Sequence, residues 1–182
     1  MVYKSIIEMK QTNWHVITGA PCSGKTAVIR ELERRGYAVV HEVARAYIDA
    51  EISKGRDLRQ IKADLTAFEG HILKTKVGIE AGLDPAAVVF LDRAVPDSIA
   101  YFQLAGLDPA EPIESSSVFC YRQIFLFERV GFETDAVRSE DDRIAAELDH
   151  LLEAAYRKLG YRPVRVPLLT IDERVDFIMK RI

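Results

Sequence analysis

The sequence of 182 residues is poor in cysteine, carries no excess of positive charge and contains no long apolar run. Its two cysteines, Cys22 and Cys120, lie far apart and fit no metal-ligand spacing, so we expect a reducing, cytoplasmic setting. A formal net charge of −3 argues against a broad nucleic-acid footprint. Because neither a membrane-spanning stretch nor a signal-peptide pattern is found, we expect a soluble protein.

Short apolar segments alternate with helical patterns along most of the chain. Each apolar segment predicts a strand, and the helices between them imply crossover connections within a parallel sheet. The prediction is an α/β fold with helices on both faces of the sheet. It forms a single domain over residues 14–182, after an N-terminal arm over residues 1–13. The predicted strands cover residues 14–18, 37–40, 87–91, 123–127 and 163–167.

One further segment shows an apolar stripe in which the steps alternate between three and four residues. This spacing places every member on one side of an α-helix. It therefore predicts a single long helix that carries Leu58, Ile61, Leu65, Phe68 and Ile72.

The segment GAPCSGKT, residues 19–26, matches the pattern G-x-x-x-x-G-K-[ST] between a predicted strand and a predicted helix. The glycines let the backbone turn towards a polyphosphate, and N–H groups at a helix start favour an anion. Lys25 supplies a charge for the outer phosphates, and Thr26 supplies a hydroxyl ligand for Mg²⁺. The flanking elements argue against an ordinary helix-entry loop, and Cys22 is interpreted as a small filler. The predicted nucleotide-binding residues are Gly19, Ala20, Pro21, Cys22, Ser23, Gly24, Lys25 and Thr26.

Asp92 and Arg93 directly follow the most apolar predicted strand. Ligands bind beyond the carboxyl ends of parallel strands, where Asp92 can hold Mg²⁺ directly or through water, together with Thr26. Arg93 can contact a phosphoryl group or orient a neighbouring carboxylate. The alternative for Asp92 is a helix N-cap. Asp97 fits the first turn of the next helix, and we interpret it as structural.

Glu42 and Arg45 follow the second predicted strand. Phosphoryl transfer to an alcohol benefits from a carboxylate that orients the hydroxyl and accepts its proton, and Glu42 is the candidate for this role. Arg45 could bind an acceptor phosphate or a sugar hydroxyl. A solvated first helical turn explains both residues equally well. We assign no role to His41.

Arginines occur irregularly in the acidic segment after the fourth strand, at Arg129, Arg138 and Arg143. In kinases of small metabolites, a lid of this kind brings arginines onto the transferring phosphoryl group and excludes water. Arg138 is the candidate catalytic residue of such a lid. The alternative is a surface loop in which the arginines pair weakly with nearby acids.

The segments GAPCSGKT, VVHEVARAYI and FLDRAVPDSIAYF, together with the C-terminal part, resemble an AAA-domain family of predicted ATPases. That family looks like the nicotinamide riboside kinase domain of NadR-like proteins, and more distantly like nucleoside and nucleotide kinases. The resemblance covers nearly the whole chain after Trp14. It implies a P-loop NTPase fold with sheet order 2-3-1-4-5, with Glu42 on the acceptor side and Asp92 and Arg93 as the metal and phosphate pair.

Two functions are compatible with these features. The first is an ATP- and Mg²⁺-dependent kinase of a small hydroxyl-bearing metabolite, with an acceptor pocket lined by residues such as Arg45, Tyr47 and Arg59. The second is an NTPase switch that acts through a protein partner. No N-K-x-D stretch indicates guanine recognition, and the intact loop argues against a vestigial site. The oligomeric state, including a homodimer, stays open.

Overall fold

The computed structural model describes residues 9–129 and 140–182. Helical segments separate the five strands that the sequence predicts. The strands are β1 (Lys10–Gln11), β2 (Trp14–Thr18), β3 (Ala38–Val40), β4 (Val89–Asp92), β5 (Phe119–Cys120), β6 (Gln123–Phe127) and β7 (Val164–Val166). The helices are α1 (Lys25–Arg34), α2 (Val43–Ser53), α3 (Leu58–Ile61), α4 (Leu65–Gly82), α5 (Asp97–Leu104), α6 (Ala110–Ser115), α7 (Glu140–Lys158) and α8 (Ile171–Met179).

The main sheet has five parallel strands in the order β3-β4-β2-β6-β7. Counted along the chain without the two short extra strands, this is the order 2-3-1-4-5 that the resemblance implies. The central strand β2 pairs with β4 on one side and with β6 on the other. The carboxyl ends of β2, β3 and β4 therefore meet at one edge of the sheet, where the sequence places its candidate residues.

Alternate strand residues point to opposite faces of the sheet, and helices cover each face. On one face, Ile17, Phe90 and Phe125 pack with Val28 of α1 and Val175 of α8. The result is one of the two apolar layers that bury the parallel strands on both sides.

The opposite face is covered by α5 and α7. Val16 and Leu91 pack with Tyr156 of α7, and Leu126 packs with Leu152 in an adjoining cluster. Helices on both faces give the three-layer α/β architecture that the alternation of segments predicts.

The prediction of one long helix through the stripe from Leu58 to Ile72 is wrong. The structure ends α3 at Ile61 and begins α4 at Leu65. The side chain of Asp64 caps α4 by accepting a hydrogen bond from the backbone N–H of Ala67 at 2.9 Å. The apolar side chains on both sides of the break nevertheless pack in one cluster with Val43 of α2, which is why the spacing resembled a continuous helix.

The described end of the predicted arm is attached to the domain. β1 pairs in parallel with β5 to form a separate two-stranded sheet that the sequence did not indicate. The Thr12 hydroxyl donates to the carbonyl of Cys120 at 3.0 Å, and the Asn13 N–H donates to the carbonyl of Pro85 at 2.8 Å. No helix within the described residues has the length and apolar character needed to cross a bilayer.

Candidate active site

Residues 19–24 connect β2 to α1 and form a loop whose shape depends on two glycines. Gly19 has φ 140°, and a Cβ there would lie 2.7 Å from the carbonyl oxygen of Phe127. Gly24 has φ 85° and precedes the helix as its N-cap. A Cβ at Gly24 would lie 2.9 Å from Nη1 of Arg174. Larger residues are therefore disfavoured at Gly19 by backbone conformation and by a backbone neighbour, and at Gly24 by backbone conformation, because the flexible Arg174 side chain can move.

Positive φ angles at residues other than glycine also gather around this loop. Within the described part of the chain, only Cys22, with φ 61°, and Arg93, with φ 68°, adopt this conformation. Such strain persists only where the surrounding structure enforces it, and it is often found at functional sites. Cys22 is exposed in the loop, and Arg93 directly follows β4.

The side chain of Lys25 is buried beneath the loop. Its Nζ donates to the carbonyl of Ala20 at 2.8 Å and to Oγ of Ser23 at 3.0 Å. Burial lowers the pKa of the Lys25 ammonium, and the charge of Arg93 lowers it further. A bound polyphosphate would compensate for both effects, since it would place negative charge beside this ammonium group.

Asp92 ends β4 beside Ile17 of β2, at the base of the loop. Its carboxylate is buried, and Oδ1 has no hydrogen-bond partner among the described residues. Burial raises the pKa of Asp92 to about 6, and the neighbouring charge of Glu42 adds to the rise. A cation would relieve both the unpartnered oxygen and the unfavourable charge. The alternative role for Asp92 was that of a helix N-cap. Asp92 does not have this role, because the N-cap position of α5 is occupied by Pro96.

The residues present are suited to Mg²⁺. The ion prefers oxygen ligands and commonly uses one or two protein groups together with phosphates and water. Asp92 offers an unpartnered carboxylate oxygen, and Thr26 lies exposed at the start of α1. No cluster of three or more acidic, histidine or cysteine side chains that could hold a metal occurs in residues 9–129 and 140–182. Oxygens from Asp92 and Thr26 would leave the other positions around such an ion to phosphates and water.

Arg93 joins the ends of β3 and β4. Its Nε donates to Oε1 of Glu42 at 3.0 Å, and its Nη1 lies 3.4 Å from Oδ1 of Asp97. The guanidinium also stacks over the ring of Tyr101 at 5.2 Å. Burial alone would lower the pKa of Arg93, but Tyr101 and the two carboxylates raise it overall. Of the two interactions predicted for Arg93, the structure shows the contact with a neighbouring carboxylate.

Asp97 is a fully buried anchor, in line with its structural interpretation. Its carboxylate accepts hydrogen bonds from the Thr18 hydroxyl at 2.5 Å, from the Tyr156 hydroxyl at 2.5 Å and from the Ala94 N–H at 2.9 Å. Burial would raise the pKa of Asp97, but the charges of Lys76 and Arg93 and these hydrogen bonds lower it. Asp97 thus ties β2, α5 and α7 together beneath the site.

The sequence profile of the AAA domain family matches residues 14–174. The chain belongs to this AAA domain family. No curated protein sequence matches the chain.

Solved structures with low sequence identity share the fold of this AAA domain. A NadR protein in complex with NR has a TM-score of 0.68 and 17% identity, over 93% of this chain and 50% of that chain. Deoxyadenosine kinase from M. mycoides has a TM-score of 0.62 and 15% identity, over 92% of this chain and 97% of that chain. Thymidylate kinase from Ehrlichia chaffeensis has a TM-score of 0.65 and 13% identity, over 95% of this chain and 98% of that chain. The chain spans half the length of the NadR chain. These matches show that the chain shares the fold of these proteins.

The AAA domain also contains a loop contact that sequence reasoning missed. Arg174 of α8 donates from Nη1 to the carbonyl of Ser23 at 2.5 Å and from Nε to the carbonyl of Pro167 at 3.1 Å. Its guanidinium lies 5.1 Å from the centre of the Phe127 ring. Arg174 therefore supports the phosphate loop from the side of the C-terminal helix. Its separation from Ser23 by 151 positions left no local signal in the sequence.

The remaining predicted residues are not all gathered at this site. Arg45 is largely exposed, with Nε 3.5 Å from Asp49 one helical turn away, and Arg59 is also exposed. Tyr47 packs against His71, with the ring centres 4.3 Å apart. Arg138 lies outside the described residues, so its predicted role in a lid stays a prediction.

Proposed function

We propose that this protein transfers the γ-phosphoryl group of ATP to a hydroxyl of a small metabolite of the nucleoside or riboside class, with Mg²⁺. The observation that carries the proposal is the Glu42 carboxylate, which Arg93 holds at 3.0 Å beside the phosphate loop. A loop that only binds nucleotide needs no oriented carboxylate opposite it. A kinase uses such a group to position the attacking hydroxyl.

The nucleotide side consists of the loop backbone, Lys25, Thr26 and Asp92. The N–H groups of the loop and the Lys25 ammonium would bind the phosphates, and Thr26 and Asp92 would hold the metal. When bound, Mg²⁺ would supply positive charge that stabilises the transferring phosphoryl group. An enzyme that uses ATP in this way is expected in the cytoplasm.

The charges around Glu42 favour an acceptor without a phosphate. Arg93 is buried between Glu42 and Asp97, so its charge is already balanced by two carboxylates. A nucleoside monophosphate would need further cations, whereas the hydroxyls of a nucleoside would donate to carboxylate oxygens. Among the solved structures with this fold, one is a NadR protein in complex with NR and another is a deoxyadenosine kinase.

In the proposed reaction, Glu42 accepts a hydrogen bond from the acceptor hydroxyl. The hydroxyl oxygen forms a bond to the γ-phosphorus while the bond from that phosphorus to the bridging oxygen breaks, and ADP leaves. The proton of the hydroxyl passes to the Glu42 carboxylate. Arg93 acts as a positioning residue, because its guanidinium fixes the Glu42 oxygen. Arg138 is proposed to close over the phosphates from the lid.

The test is ATP turnover with and without a panel of nucleosides and ribosides, analysed for ADP and for the phosphorylated acceptor. We expect at least one acceptor to stimulate ADP release and to appear as its phosphate ester in equal amount. Slow hydrolysis that every acceptor leaves unchanged would contradict the proposal and would indicate the NTPase switch instead.

A further inference from the structure

Helix α4 presents three charged side chains along its buried face. Glu69, Lys76 and Glu80 follow one another at intervals of seven and four residues, which places them on a single stripe of the helix. On one side of the stripe, Ile72 packs towards α2, and on the other, Leu73 packs towards α5. The charged stripe therefore faces the space between α2 and α5.

Two of these three charged groups have partners inside the protein. Glu80 accepts hydrogen bonds from the Val95 N–H at 2.8 Å and from the Tyr121 hydroxyl at 2.6 Å. Nζ of Lys76 donates to Oγ of Ser98 at 3.2 Å. Both groups therefore connect α4 to the elements packed against it.

Glu69 differs from them. It is only 8% exposed, yet its carboxylate makes no hydrogen bond or ion pair with any residue in the described ranges. Its oxygens are not sealed from solvent, in contrast to Oδ1 of Asp92. The carboxylate therefore keeps contact with solvent, and a hydroxyl of a bound ligand could donate to it.

The position of Glu69 along α4 brings it to the acceptor side. As a crossover helix that leads into β4, α4 runs opposite to the strands, so its first turns lie towards their carboxyl ends. Burial raises the pKa of Glu69, and the charges of Lys76, Lys62 and Arg93 oppose the rise. Glu69 in turn contributes to the raised pKa of Tyr101, over whose ring Arg93 stacks.

We infer that Glu69 is a second acceptor-binding carboxylate, which accepts a hydrogen bond from a hydroxyl of the acceptor other than the one that is phosphorylated. This inference rests on the proposed function and defines its substrate class further: the acceptor is polyhydroxylated and carries no phosphate at this end. When it is ionised, a carboxylate accepts hydrogen bonds and donates none. Glu69 would therefore favour hydroxyl groups that donate and would repel an anionic group such as a phosphate.

The experiment compares Glu69→Gln with the wild-type protein in steady-state kinetics, using an accepted nucleoside and its analogues that each lack one hydroxyl. We expect Glu69→Gln to reduce kcat/KM for the acceptor by about tenfold, because a neutral amide oxygen accepts a weaker hydrogen bond than a carboxylate and the amide NH₂ group accepts none. The KM for ATP should stay unchanged. One deoxy analogue should lose a similar or larger factor with the wild-type protein and a clearly smaller factor with Glu69→Gln.

Glu51→Gln serves as the matched control. Glu51 is also 8% exposed, but its carboxylate forms ion pairs with Lys54 and Arg56, which directly follow α2. This change should lower the melting temperature and leave the acceptor kinetics unchanged. Glu69→Asp, which keeps the charge, should recover part of the activity lost in Glu69→Gln.

The outcomes separate this inference from the proposed function. If acceptors are phosphorylated but every deoxy analogue reacts as well as its parent, Glu69 binds no hydroxyl and the inference is wrong. The wild-type protein alone decides this point, even if Glu69→Gln does not fold. Additive losses from the variant and the analogue would also contradict the inference. If no acceptor is phosphorylated at all, the proposed function and the inference fail together.

Discussion

The proposed nucleotide side and the proposed acceptor side of the site are built in different ways. The nucleotide side is one continuous segment, residues 19–26, and most of its binding groups belong to the backbone. The proposed acceptor side joins Glu42, Glu69 and Arg93, which follow or lie on different elements and would act through their side chains. A polyphosphate is the same in every nucleoside triphosphate, and backbone N–H groups can bind it. Recognition of one particular acceptor needs several side chains on different elements, each of which can be substituted without changing the others.

The two sides also differ in how their polar groups are satisfied. Beneath the loop, Lys25 hydrogen-bonds to the loop itself, and Arg174 supports the loop from α8. On the acceptor side, Arg93 fixes Glu42, while Glu69 has no described partner. We therefore expect changes on the nucleotide side to affect ATP, and changes on the acceptor side to affect transfer while nucleotide binding remains.

The largest effect is expected for Lys25→Ala, which removes the buried ammonium group that donates to Ala20 and Ser23 of the loop. The variant should lose most nucleotide affinity and all measurable transfer, because this ammonium is the charge that the loop motif supplies for the outer phosphates. The melting shift induced by Mg²⁺ and ATP measures this. In the wild type, ligand at about a hundred times its Kd adds about 2.7 kcal/mol.

Lys74→Ala is the matched control for this change, since Lys74 is exposed on α4. It should retain the full nucleotide-induced shift. An undiminished shift in Lys25→Ala would show that the loop does not bind the nucleotide.

Glu42→Gln should separate the two sides. The amide keeps the size of the side chain but cannot take up the hydroxyl proton, so transfer should fall by about 10²- to 10⁴-fold. Nucleotide binding by calorimetry should be preserved. Glu33→Gln changes an exposed glutamate beside His41 and should leave transfer intact. If the Glu42→Gln variant transferred the phosphoryl group at the wild-type rate, Glu42 would not be the base.

Gly19→Ala tests whether the backbone determines the shape of the nucleotide side. A Cβ at φ 140° and 2.7 Å from the Phe127 carbonyl oxygen requires the loop or β6 to move. We expect a loss of about 1–3 kcal/mol in the free energy of unfolding, together with weaker nucleotide binding.

Gly70→Ala is the control, because a Cβ at Gly70 of α4 would meet nothing within 4 Å. That change should stabilise the protein slightly, by about 0.5–1 kcal/mol, as alanine does in a helix. Chemical denaturation measures both variants. If Gly19→Ala had the same free energy of unfolding as Gly70→Ala, the positive φ of Gly19 would not be required for the fold.

The smallest effect is expected for Arg174→Lys. Lysine would keep the charge but lose the fork that binds the Ser23 and Pro167 carbonyls together. The KM for ATP should rise severalfold, about the effect of one hydrogen bond, while the acceptor KM stays constant. Arg181→Lys, on an exposed arginine that stacks over Phe177, is the control. A change in acceptor KM alone would contradict the assignment of Arg174 to the nucleotide side.

The sequence predicted the strands of the main sheet better than it predicted the helix boundaries and the shortest strands. The predicted strands over residues 14–18 and 123–127 agree residue for residue with β2 and β6, since a buried parallel strand has a clear apolar pattern. The break between α3 and α4 was missed, because the apolar spacing continues across it and the Asp64 cap outweighs that signal. Strands β1 and β5 were missed because two residues are too few for a periodic pattern.

The sequence by itself determined the phosphate loop, because two glycines, a lysine and a hydroxyl at fixed local spacing specify both its conformation and its chemistry. It also placed Glu42 and Asp92 at strand ends. Only the tertiary structure decided that Arg93 pairs with Glu42 across 51 positions and that Arg174 reaches Ser23 across 151. Those contacts depend on which strands and helices become neighbours, and no local spacing in the chain records that choice.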